Sequence, residues 1–158
     1  MAKYLTIFFV SMVPIIELRG AMVMAMAPGM AIPFPLALLI CVVGNMLPVP
    51  FIYFFARKVL VWGSSKKYIG KVFTFFLEKG ERAGQKLVKA TGRGGLFIAL
   101  LLFVGIPLPG TGAWTGTLGA SFLNMGFKST VVAVSLGVVL AGCIMGILSV
   151  TGVHLFGL

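Results

Sequence analysis

Charged positions divide the chain into long apolar stretches. None falls between Gly20 and Ala56, none between Gly94 and Phe127, and none from Ser129 to Leu158. A helix crossing about 30 Å of hydrocarbon takes roughly 20 residues. The pattern therefore predicts four apolar helical segments, at about 4–27, 31–56, 95–121 and 129–156. Turn chemistry separates them: Pro28-Gly29 with Pro33 and Pro35, then a long basic stretch, then Asn124–Lys128. In the basic stretch, Ile69, Val72, Phe73, Phe76, Gly80, Ala83, Gly84 and Leu87 recur at three- and four-residue spacing. Lys67, Lys71, Thr74, Glu78, Arg82, Gln85 and Lys89 take the other side, which predicts an amphipathic helix over 66–90 with a Glu78–Arg82 pair.

Composition turns this pattern into a class. Of 158 residues, 59% are hydrophobic and 10% charged, against about 25% charged in a soluble domain. A chain of this size leaves about a third of its surface exposed, so the apolar excess has no core to hide in. A water-soluble monomer is excluded, and residues 1–158 read as one integral membrane domain. The two cysteines and the aperiodic glycines exclude disulfide and collagen frameworks. Lys3 and Ala25-Met26-Ala27 superficially fit a signal peptide, but Glu17 and Arg19 interrupt its apolar stretch and Pro28 would follow the cut, so the segment is expected to be retained.

Charge then sets orientation. Ten of the 13 bases lie in 57–93, with two acids, for a local charge of +8. A short loop so loaded is expected on the cytoplasmic side of the cell membrane. Its helix at 66–90 either lies on anionic lipid headgroups or packs its apolar face on the bundle as a solvated connector. Nucleic acid is not an expected partner, because the basic stretch is held between two membrane blocks.

Sliding the sequence by 93 residues aligns Val13–Gly20 with Ile106–Ala113, Ala27 with Ala120 and Gly44 with Gly137. Each half then has a segment broken in its middle by proline, followed by an unbroken one: repeat 1 at about 4–56 and repeat 2 at about 94–157, joined by 57–93. Broken backbone at membrane depth must be satisfied by protein or a wet cavity. Paired breaks in two halves point to a transport site. The broken segments are either re-entrant, which gives halves of opposite orientation, or fully spanning, which gives an ordinary four-helix bundle.

Two groups of residues carry candidate chemistry. Glu17 and Arg19 lie 12–15 residues into the first block, where an ionisable group costs about 2.5–3.5 kcal/mol. At i,i+2 they converge only if the backbone unwinds, which Pro14 and Gly20 permit. The alternatives are a functional pair, a structural pair, or an interfacial placement. The second group is the run Ile106–Gly116. Its Pro107, Pro109, Gly110, Gly112 and Gly116 forbid a regular helix. Its amides, with the Thr111 and Thr115 hydroxyls, form a candidate anion concavity; Trp114 is a candidate lid or interface anchor, and a ligand-free hairpin tip is the plainer alternative. Glu17 and Arg19 are expected to form the centre of a substrate or proton site facing the Pro107–Gly116 tip.

The Pro-x-x-Glu-x-Arg-Gly element at 14–20, with Pro-Leu-Pro-Gly-Thr-Gly-Ala-Trp-Thr-Gly at 107–116, resembles the bacterial and archaeal small multidrug export protein family over essentially the whole chain. That family is in turn similar to the DedA-like, or VTT-domain, superfamily. The resemblance implies an all-α membrane protein of two inverted repeats, each a Pro-broken re-entrant helix pair plus a spanning helix, joined by the basic amphipathic cytoplasmic helix. It also implies transport or flipping of an amphipathic substrate such as a polyprenyl-phosphate, with proton coupling. DedA-like proteins usually carry a second arginine in the later motif, where this chain has Thr111 and Gly112.

Gly137, Ala141, Gly142 and Gly146 form a row of small residues suited to close helix approach within the chain or between copies. With few spanning segments, a homo-oligomer using this face is expected. Asn45 reads as the cap of a kink near Pro48. With no Asp, one His and three Glu, there is little from which to build an enzyme, and no cofactor is expected. A membrane scaffold or assembly factor that transports nothing is the alternative to a transporter.

Overall fold

The computed structural model describes residues 1–155 apart from 15, 66–69 and 109, with some side chains in 57–91 and beyond 149 left aside. The described residues form helices and no strand. In chain order these are α1 (Ala2–Met12), α2 (Glu17–Met26), α3 (Phe34–Met46), α4 (Val49–Ser64), α5 (Gly70–Gly105), α6 (Ala113–Phe122) and α7 (Phe127–Leu155).

Of the four apolar segments, the second and fourth supply helices long and apolar enough to cross a membrane, Phe34–Ala56 and Phe127–Ser149. The first and third are each split into two short helices. At 1.5 Å per residue, the 11 residues of α1 span about 16 Å, half the hydrocarbon thickness. Proline sets the splits. A residue before proline is pushed out of the helical region, and Val13, before Pro14, is extended at ψ 129°. Likewise α5 ends at Gly105, immediately before Ile106-Pro107. The second segment is not the unbroken one expected: a turn at Leu47-Pro48 separates α3 from α4. It perturbs little, since Leu47 keeps helical angles (φ −62°, ψ −41°) and Pro50 falls in the first turn of α4, where a proline is tolerated.

Helix continues through the basic stretch from Gly70, and Gly92 (φ 70°) kinks α5 to begin the apolar helix Gly92–Gly105. Glu78 and Arg82 form the expected i,i+4 pair at 3.2 Å, but both are well exposed, so its contribution is small. Ile69, Lys66 and Lys67 lie outside the described residues.

In packing, α1 lies on α2 and α3, and α2 on α3 and α7. In the second part, α5 lies on α6 and α7, and α6 on α7 and α4. Lipid is as apolar as leucine, so close approach rather than exclusion of water holds such helices together. The core is accordingly built on Ala21, Ala25, Ala37, Ala113, Ala120, Ala133 and Ala141, while Phe51 and Phe55 are 71% and 69% exposed. Small residues make the closest contacts. A Cβ on Gly44 would lie 2.6 Å from the Phe8 carbonyl and 2.1 Å from Ser11 Oγ. One on Gly137 would lie 2.8 Å from the Leu101 carbonyl and 2.8 Å from Val104 Cβ.

The small-residue row of α7 is used up by this packing, which corrects its expected role as a contact between copies. Ala141, Gly142 and Gly146 are buried; added Cβ atoms would strike Leu38 from Gly142 and Phe34 from Gly146, at 2.3 and 2.1 Å.

Candidate functional site

The two proline breaks meet. In the first, the chain leaves α1 at Met12, passes Pro14, and opens α2 at Glu17, whose φ is 50°. That left-handed conformation costs a non-glycine residue roughly 1 kcal/mol, and an observed outlier of this kind is a legitimate pointer to a constrained site. In the second, Gly110 makes the turn at φ 80°, Gly112 is extended, and α6 starts at Ala113. The unwinding thus lies at Pro14. Gly20 takes no part in it, contrary to expectation, because it sits inside the regular α2 helix.

Arg19 reaches from α2 across to the second break. Its Nη1 donates to the Leu108 carbonyl, and its Nη2 donates to the Ile106 carbonyl at 3.4 Å and to Thr111 Oγ1 at 2.7 Å. The Ile106 carbonyl also accepts the Leu108 N–H at 2.8 Å and the Leu108 carbonyl the Thr111 N–H at 3.2 Å, and the Thr111 hydroxyl is within reach of both, at 3.0 and 2.9 Å. Arg19 therefore joins a shared network in the segment that follows the C-terminus of α5. A cation is favoured there by the helix dipole.

Glu17 does the converse. It is 6% exposed, and its Oε1 accepts the backbone N–H of Trp114 at 3.2 Å. The carboxylate lies over the α-carbon of Gly112, where a Cβ would come within 1.8 Å of Oε2. It caps the N-terminus of α6 from another helix, at the positive end of that helix's dipole. The indole Nε1–H of Trp114 donates in turn to the Met12 carbonyl, the last of α1, at 3.2 Å. Glu17 and Arg19 do not pair with each other: among the described residues, only Glu78 and Arg82 come within ion-pair distance. The two charges are balanced instead by the two helix ends of the opposite break.

Beside them opens a cleft of about 540 Å³. Pro14, Ile16, Glu17, Arg19 and Gly20 line it from the first break, Pro107, Leu108, Gly110, Thr111 and Thr115 from the second, and Met145 from α7. Gly112 stands behind the Glu17 carboxylate, and Pro109 lies outside the described residues. Trp114 does not line the cleft, so it acts as a strap between α6 and α1 rather than a lid. The sequence predicts Asn45 as the cap of a kink near Pro48. It is instead buried, with its Oδ1 unpartnered, against a small cavity behind the charged pair. One amide in an apolar span was the available signal.

Residues 17–144 match the model of the family described as "Putative small multi-drug export protein". The chain belongs to this small multidrug export protein family. No curated protein and no solved structure matches it. The family's matched span includes Glu17, Arg19, the whole second break and most of α7, and begins after α1 and Pro14.

Proposed function

We propose that this member of the small multidrug export protein family is a membrane transporter whose cleft takes an amphipathic substrate with an anionic group, seated against Arg19, with Glu17 as its proton-exchanging residue. One observation carries the reading: both charged side chains of the first break are seated in the second, at the wall of a 540 Å³ cleft lined by both breaks. Three of the five N–H donors of Arg19 are engaged, which leaves two for other partners, a ligand among them. A planar guanidinium beside apolar walls suits a lipid-linked phosphate such as a polyprenyl-phosphate.

Transport of a labelled polyprenyl-phosphate or anionic phospholipid into liposomes holding only this protein tests the proposal. Glu17→Gln is expected to fold and to abolish the dependence of transport on a proton gradient. Absence of transport by the unaltered protein for every anionic amphiphile tried would favour the alternative, a membrane scaffold or assembly factor.

The proposal extends to architecture. One membrane domain is built from two inverted repeats, each a re-entrant pair (α1–α2, and Gly92–Gly105 with α6) plus a spanning helix. The glycine contacts support it: Gly44, Phe8 and Ser11 each lie 93 residues before Gly137, Leu101 and Val104, their counterparts in the second contact. Met12 and Gly105, which end the first half-helices, are also 93 apart, whereas Glu17 and Ala113, which begin the second, are 96 apart. The second break is longer by three residues.

The basic stretch 57–93 then faces the cytoplasm of a cell-membrane protein, with the basic residues of 66–90 on anionic headgroups. A single cysteine at Ser64 or Gln85, in a background lacking Cys41 and Cys143, is expected to resist an impermeant maleimide in intact cells and to react after permeabilisation. Labelling in intact cells would reverse the orientation.

A further inference from the structure

Among the described residues two buried side-chain polar atoms have no partner, Thr117 Oγ1 and Asn45 Oδ1, and only Asn45 stands beside Glu17 and Arg19 in a shared cavity. Asn45 lies on α3 within the apolar span Phe34–Ala56, is 2% exposed, and its Oδ1 accepts no hydrogen bond. A buried acceptor without a donor is costly at any depth, and more so in hydrocarbon. Asn45 lines a cavity whose space open to the centre of a water molecule is about 10 Å³. That is close to the minimum that holds one water. The same cavity is lined by Glu17 and Arg19, which also line the large cleft. These two residues are therefore common to the walls of cleft and cavity.

We propose that the cavity is the site of a single bound water that donates one hydrogen to Asn45 Oδ1 and the other to the Glu17 carboxylate, and that Asn45 positions this water as the proton donor to Glu17. Arg19 has N–H groups left to donate to the water oxygen, which gives it the three partners usual for a buried water. A metal cation fits poorly, because it would find one carboxylate and one amide oxygen beside a guanidinium. On protonation, the bound water accepts a proton arriving through the cleft, passes one of its own to Glu17, and ends as water again. Among the described residues, no titratable group besides Glu17 and Arg19 lines the cavity: α3 gives Asn45, α5 Val104, α6 Ala113, and α7 Val138 and Ala141. The relay rests on the transport reading, and the bound water does not.

Infrared difference spectroscopy on the whole protein in nanodiscs tests it. The Glu17 carboxyl band is identified by its loss in Glu17→Gln. Asn45→Leu is expected to shift that band and to remove a water O–H band that moves in H₂¹⁸O. Should Asn45→Leu not be recovered folded, Asn45→Ser is expected to shift the band less and to retain the water. A Glu17 band unmoved by either substitution, or no isotope-sensitive water band in the unaltered protein, overturns the proposal. Unaltered bands in Asn45→Leu with transport intact would leave the transport reading standing alone. An intact water band in a protein that transports nothing would do the reverse.

Discussion

Replacing Arg19 by alanine is expected to destabilise the protein by roughly 3 kcal/mol, since hydrogen bonds to charged groups are individually worth about 1.5–3 kcal/mol. Three such bonds disappear together, to Leu108, Ile106 and Thr111. The loss is softened because both carbonyls keep a local amide donor, and sharpened because the buried Glu17 carboxylate is left with no cation beside it. Arg19→Lys is expected to lose less, since an ammonium replaces the charge but not the planar fork that reaches three acceptors at once. Thermal unfolding of both variants in the same mild detergent gives the ranking. Equal midpoints for the alanine variant and the unaltered protein would show that the bridge between the breaks contributes nothing to stability.

Gly112→Ala is expected to cost about 2–3 kcal/mol through a different route. The new methyl would occupy the place of Glu17 Oε2, at 1.8 Å. The carboxylate is the movable end of a flexible side chain, but moving it breaks its bond to the Trp114 amide and strips α6 of its cap. A lost cap is worth about 1 kcal/mol, and a displaced, poorly partnered charge adds to it. Gly112 is extended rather than left-handed, so backbone strain plays no part. The consequence is a double-mutant signature. In a Glu17→Ala background, Gly112→Ala should be nearly neutral, because the clash has gone. Additive losses in melting temperature would mean that the methyl strikes something other than the carboxylate.

The fold was legible where single residue types dictate backbone. Long uncharged runs give apolar helices, and Pro14 and Pro107 stop them, because proline acts through its own ring and its neighbour's sterics. The shift of 93 also survives in the Gly44 and Gly137 contacts, since small residues are required wherever helices touch. The interruption at Leu47-Pro48 is legible only as a kink near Pro48, because a proline at a helix junction perturbs too little to disturb the hydropathy pattern. The site was legible as two breaks and two charges, but not in its bonding. Carbonyls and amides, the groups that hold Glu17 and Arg19, carry no sequence signature. The place of Asn45 is hidden for a similar reason, because its neighbours in sequence say nothing of the cavity that the fold brings to it.

Arg19 and Glu17 are bound to groups 87 to 97 residues further along the chain. A ribosome adds about 5–20 residues each second, so roughly 5 to 20 s separate the emergence of these charges from that of their partners. During that interval hydrocarbon offers them nothing. The first apolar segment is therefore expected to wait at the membrane surface, its charges in water, and to settle into the bilayer only when the later segment arrives. Insertion of the first apolar segment becomes a late event in biogenesis, and a chain truncated before Ile106 should leave that segment accessible to water-soluble reagents.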